Sequence, residues 1–109
     1  MNLHDKVTKS GCFYIDSIER DIEHGRIAFN FLGNPDLPEI VRVLKFRSVH
    51  DFSEQWETEV TKDLIQSIIG IEEYPGPAGV RYEIVLDEVV IGFTSGDEPV
   101  VIDLQPSSA

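Results

Sequence analysis

The chain is read as a mainly β protein, with α+β as the nearest alternative: an antiparallel meandering sheet, sandwich or open roll of six to seven strands with at most one short helix. Three observations carry this expectation: short apolar runs that alternate with period two, turn-forming residues between them, and 109 residues of near-average apolar and charged content. That length fits one domain spanning 1–109, with 1–9 and 105–109 expected to be flexible termini.

Phe13 to Ile18 is rich in β-branched and aromatic residues, and His24-Gly25 supplies a turn before a return arm, Arg26 to Leu32. In that arm Ile27, Phe29 and Phe31 share one face and Ala28 and Asn30 the other, so the first three are assigned to the core. Gly33 to Pro38 is dense in turn formers and ends the pairing. Glu39 to Arg47 makes a third strand, with Leu44 and Phe46 inward and Lys45 and Arg47 outward. Asp51 to Lys62 is polar and holds the single tryptophan, Trp56. Between 58 and 69 helical and strand spacings both fit; the expectation is a helical turn over Thr58 to Leu64, then a strand from Gln66 to Glu73 with Ile69 and Ile71 inward. After the Pro75 to Gly79 loop, Tyr82, Ile84 and Leu86 point inward. Asp87-Glu88 turns the chain, Val89, Ile91 and Phe93 continue the inward set, and Val100 to Leu104 is the last strand.

Charge is distributed unevenly along the chain. The net charge is −11, from 20 acids and 9 bases. The first fifty residues hold seven of each, so everything from Asp51 onward contains thirteen acids against only Lys62 and Arg81. Such a field repels nucleic acid and anionic membrane and speeds encounter with a basic protein. Neither a polynucleotide nor a membrane is therefore expected as partner, and no apolar run approaches the roughly 20 residues of a membrane helix. A single cysteine and a polar N-terminus place the expected location in the cytosol.

No catalytic apparatus is legible, so the chain is expected not to be an enzyme and to need no cofactor. Cys12 has no adjacent base and fits a small buried hydrophobe. There is no Gly-x-Ser-x-Gly elbow and no phosphate-cradling glycine loop. His4, His24 and His50 lack the three or four convergent ligands of a zinc centre, so no metal is expected. Paired acids such as Glu72-Glu73, Asp87-Glu88 and Asp97-Glu98 alternate faces on a strand and do not converge. Collectively the acids say more. With Tyr82, Ile84 and Leu86 inward, Arg81, Glu83 and Asp87 face outward, Glu72 joins them, and Glu88 sits at the turn. Nearby in sequence, Glu54, Glu57 and Glu59 surround Trp56, a residue type favoured as an interface anchor. The expected partner-binding set is Glu54, Trp56, Glu57, Glu59, Glu72, Glu83, Asp87 and Glu88.

Phe13-Tyr14-Ile15-Asp16-Ser17-Ile18 followed by Gly25 to Phe31 resembles the opening hairpin of small β-rich bacterial immunity proteins of polymorphic and contact-dependent growth-inhibition toxin systems. Val43 to Val49 with Asp51-Phe52 is similar to their strand and Val-x-x-Phe passage, and Gly79 to Leu86 with Val89 to Phe93 to their closing hairpin. The resemblance implies a protein that binds and neutralises a cognate, basic toxin. Two other classes stay open on the residues: a small hydrolytic or metal-dependent enzyme built on His24, His50 and neighbouring acids, and an accessory protein-binding domain without a toxin partner.

Overall fold

In a computed structural model, residues 2–37, 39–57 and 65–104 are described. They form a mainly β fold with one short helix. Helix α1 is Leu3–Thr8, and the strands are β1 Tyr14–Asp21, β2 Arg26–Leu32, β3 Ile40–Phe46, β4 Val49–Trp56, β5 Gln66–Gly76, β6 Gly79–Leu86, β7 Val89–Ser95 and β8 Val100–Asp103. All pairings are antiparallel, in the order β4-β7-β6-β5-β1-β2-β3-β8.

Two three-stranded meanders, β1-β2-β3 and β5-β6-β7, meet at one short seam where Tyr14 pairs with Ser67 and Ile15 with Gln66. Each then exchanges its next strand with the other: β4 follows β3 but pairs with β7, and β8 follows β7 but pairs with β3. The sheet therefore folds over, with β1-β2-β3-β8 facing β5-β6-β7-β4. Phe46 of β3 meets Tyr82 of β6 at 4.9 Å and Phe93 of β7 at 4.7 Å, contacts possible only between facing halves. The inward set of Ile27, Phe29, Phe31, Leu44, Phe46, Tyr82, Ile84, Leu86, Val89, Ile91 and Phe93 is buried as alternation requires.

Several expectations need correction or placement. Residues 51–56 are strand, which supplies the eighth member of the sheet. Phe52, Glu54 and Trp56 are half-buried while Ser53 and Gln55 are exposed. The period was masked because an acid holds an inward position and a bulge between His50 and Ser53, with Asp51 at φ 54°, breaks the start. Ile69 points outward, 60 % exposed, because a second bulge between Ile68 and Gly70 inserts it as the extra residue; Ile68 and Ile71 take the core side. Within the N-terminal stretch expected to be flexible, Leu3–Thr8 forms α1: Leu3 and Val7, one turn apart, are buried, and Asn2 Oδ1 accepts the Asp5 N–H at 2.8 Å. The helical turn expected over Thr58 to Leu64 and the tail 105–109 lie outside the described residues.

The β5–β6 turn is two residues long, between Gly76 and Gly79, rather than a five-residue loop. Gly79 is required there: its φ is +124°, and a Cβ would sit 2.3 Å from the Ser95 carbonyl oxygen.

Arg42 occupies a core position beside Leu44 and Phe46 and is 4 % exposed. Its Nη1 donates to the carbonyls of Val7 at 2.6 Å and Lys9 at 3.1 Å, and its Nε donates to Asp103 Oδ1 at 2.6 Å. One guanidinium thus satisfies the end of α1 and ties it to β8. Arg42→Ala leaves the buried Val7 carbonyl without a donor and should cost about 2–4 kcal/mol in urea denaturation. The same guanidinium hydrogen bond holds the Asp103 carboxyl below the ordinary carboxylate range. A depressed folded-state pKa gives stability that is complete above about pH 4 and is lost as pH falls through the folded value; the Arg42→Ala variant should lose that part of the acid dependence.

Candidate partner-binding surface

The expected acidic residues separate into three groups. The first gathers at one end of the β4-β7-β6-β5 half. Glu57 N–H donates to the Glu88 carbonyl at 2.8 Å, so Trp56-Glu57 at the end of β4 and Asp87-Glu88 at the β6–β7 turn lie together. Gln66, buried at the start of β5, accepts the Glu88 N–H through Oε1 at 2.8 Å, and Asp87 Oδ2 accepts the Ser67 N–H at 2.8 Å. Turn and strand end are thereby fixed relative to each other, with Glu57 and Asp87 exposed and Glu88 half-buried.

Trp56 is half-buried against the core. Its ring lines a small hollow of about 60 Å³ with Ile15, Asp16, Ile18 and Arg20 of β1. Its Nε1–H donates to Glu54 Oε1 at 3.1 Å. Glu54 itself receives Arg20 in a two-bond fork, Nε to Oε2 at 2.7 Å and Nη2 to Oε1 at 2.6 Å. Glu54 is therefore a positioning group: it neutralises Arg20, joins β1 to β4 and orients the indole.

The second group is Glu72 and Glu83, direct cross-strand partners on the outer face, in a row that continues through Gly92 to Ser53. Like charges face each other there, which is unfavourable. Arg81 lies one row away, folded across β7; Gly92 makes room, since a Cβ there would meet Arg81 Nη2 at 2.5 Å. Its Nη1 reaches the Asp51 carbonyl in the β4 bulge at 2.7 Å. Glu59, the third part of the expectation, lies outside the described residues.

A feature that alternation did not reveal is a groove of about 480 Å³ at the open edge between α1, the β5–β6 hairpin and β8. Leu3, Val80, Tyr82, Pro99 and Val101 form apolar walls, and Glu73 and Glu98 stand beside them with Lys6. Tyr82 is almost wholly buried, and burial raises its phenol pKa, with Glu73 and Glu98 adding to the shift.

The histidines do not converge on one ion. His24 Nδ1 lies 2.8 Å from Asp21 Oδ1, and His50 Nε2 lies 3.9 Å from Asp51 Oδ2. Among the described residues no group of three or more histidine, cysteine or acidic side chains could hold a metal. Cys12 is buried, its Sγ 3.5 Å from the Leu32 carbonyl, and burial raises its thiol pKa. No described helix is long and apolar enough to cross a membrane.

Compared with family models, curated proteins and solved structures, the chain matches none.

The Arg20–Glu54 fork is part-exposed, with side-chain exposures of 34 % and 21 %. A double-mutant cycle with Arg20→Ala and Glu54→Ala should therefore give a coupling energy of only about 0.5–1 kcal/mol, weakened by salt. Glu54→Gln should in addition shift the Trp56 emission spectrum, because the indole loses its charged acceptor.

Proposed function

We propose that this chain is an immunity-type protein that binds and neutralises a cognate basic toxin, using the end of the sheet where Trp56, Glu57, Asp87 and Glu88 meet. The observation that carries this reading is the Glu57–Glu88 backbone bond, which assembles two acidic segments, some thirty residues apart in sequence, around a half-buried tryptophan. An aromatic anchor rimmed by carboxylates suits a basic protein surface: the ring supplies desolvated contact area, and the charges steer the encounter. The whole-chain charge of −11 adds long-range attraction of the same sign. Glu72 and Glu83 on the adjoining outer face extend the rim, and Glu59 lies two positions after Glu57 in sequence.

The test begins with the neighbouring gene. An upstream reading frame for a basic protein should be toxic when expressed alone and harmless with this chain. Against that protein, Glu57→Lys with Glu88→Lys should slow association about tenfold or more at low salt and much less at high salt, since exposed charges act mainly on the encounter rate. Trp56→Ala should instead accelerate dissociation with little salt dependence. Absence of binding or rescue by the native chain, or charge reversals that leave both rates unchanged, would sink the proposal.

A further inference from the structure

The outer face of the other half gathers three bases around one hollow. Of the seven bases in the first fifty residues, Arg42 is sealed in the core, Lys9 and Arg42 share Asp103, Arg20 is held by Glu54, and Lys6 lines the α1 groove beside Glu73 and Glu98. Arg26, Lys45 and Arg47 are different. All three are exposed, none forms a salt bridge among the described residues, and all three line one hollow of about 520 Å³.

Strand register explains how they meet. Ala28 of β2 pairs with Glu19 of β1 on one side and Lys45 of β3 on the other, and Lys45 pairs with Val100 of β8. This row runs Glu19, Ala28, Lys45, Val100 across four strands. In the next outward row lie Asp21 and its partner Arg26, with Arg47 just past the end of β3, where Ile27 pairs with Phe46. Ala28 has only a methyl group at the centre of longer neighbours, so it forms the floor, and exposed Val100 makes an apolar side.

Two carboxylates also line the hollow, and each has a local partner. Glu19 Oε2 accepts from Asn30 Nδ2 at 3.0 Å, and Asp21 Oδ1 lies 2.8 Å from His24 Nδ1. The His24 hydrogen bond holds the Asp21 carboxyl below its usual range, and Arg26 adds to this from a distance. Three cations against two occupied carboxylates leave the hollow locally positive in a chain of charge −11. A field that acidic should draw surplus bases into ion pairs, so three bases gathered around one hollow without one mark a surface complementary to an external anion.

We infer that this concave face of β1-β2-β3-β8 is a second docking surface, for an extended acidic segment of a partner protein. The cations occupy two successive outward rows, which are about 7 Å apart along a strand. Alternate side chains of an extended peptide have the same spacing, so two carboxylates at positions i and i+2 can meet Lys45, which stands between Ala28 and Val100 in one row, and Arg26 with Arg47 in the next, while the side chain between them points away from the sheet. A compact anion would span only one row. A polynucleotide would contact few cations here and be repelled by the remainder of the chain. This surface is separate from the acidic end around Trp56, and its failure leaves that assignment untouched.

The test uses the full chain and three probes: the peptide acetyl-Glu-Ala-Glu-amide, its neutral counterpart acetyl-Gln-Ala-Gln-amide, and inorganic phosphate. In a two-dimensional amide NMR titration the acidic peptide should give saturable shifts confined to Arg26, Ala28, Lys45, Arg47 and Val100. The neutral peptide and phosphate should bind about tenfold more weakly or not at all. Lys45→Gln with Arg47→Gln should weaken the acidic peptide about tenfold. Ala28→Leu, which keeps every charge but fills the floor, should do the same while leaving the spectrum of the β5-β6-β7-β4 half unchanged. Phosphate binding as tightly as the peptide would overturn the extended-segment occupant in favour of a free anion. Unsaturated or scattered shifts, or full affinity in the double glutamine variant, would overturn the surface itself.

Discussion

Phe46 is the contact on which the arrangement depends. It projects from β3 and packs at 4.9 Å on Tyr82 and at 4.7 Å on Phe93, with Phe29 at 6.1 Å completing the cluster. Along the hydrogen-bonded sheet β3 is four positions from β6 and five from β7, so these rings touch only because the sheet folds over on the short β1–β5 seam. Burying such a ring contributes about 1.5–3 kcal/mol, and its edge contacts add about 0.5–1.5 kcal/mol each. The exchange of β4 and β8 between the two meanders follows from the same closure. Crossing from β3 to β4, the corner is held by the Val49 N–H on the Gly25 carbonyl at 2.9 Å and the Ser95 hydroxyl on the Arg47 carbonyl at 2.7 Å. Once the halves face each other, their outer faces point apart, which is what allows one protein to present surfaces of opposite charge.

Much of this was legible because period-two alternation reports burial directly. Ile27-Phe29-Phe31, Leu44-Phe46, Tyr82-Ile84-Leu86 and Val89-Ile91-Phe93 all lie where their spacing places them. Alternation misleads wherever an extra residue enters. The bulge at Ile69 turned an apparent core residue outward, and the bulge at Asp51, with a carboxylate at inward position 54, hid a whole strand. Arg42 shows the converse: a charged residue with core parity belonged in the core, because carbonyls at the end of α1 and the Asp103 carboxylate were available to it.

The candidate surfaces were less legible, since alternation fixes a residue's face but not its lateral neighbours. Glu54 reads as one more surface acid until Arg20, thirty-four positions away, is seen in its fork. Glu57 and Glu88 belong together only through a backbone bond between the end of one strand and a turn. Lys45 and Arg47 had the expected outward direction, but Arg26 joins them through β2–β3 pairing, and the floor under them depends on the small size of Ala28.

The acids around Trp56 are thus divided by role. Glu54 is bound to Arg20 and supports the fold, whereas the side chains of Glu57 and Glu88 make no hydrogen bond or salt bridge among the described residues while their backbones hold the corner together. Charge that repels itself and satisfies no internal partner lowers stability, and its retention is understandable if it serves an encounter with a cation-rich surface. The direct measurement is the urea-unfolding free energy of the native chain and of Glu57→Gln with Glu88→Gln, at low and high salt. Surplus charge kept for binding predicts that the double variant is as stable as the native chain or more stable by up to about 0.5 kcal/mol at low salt, with the gap closing as salt rises. A double variant clearly less stable at both salt concentrations would show that these carboxylates support the fold, and would contradict the account.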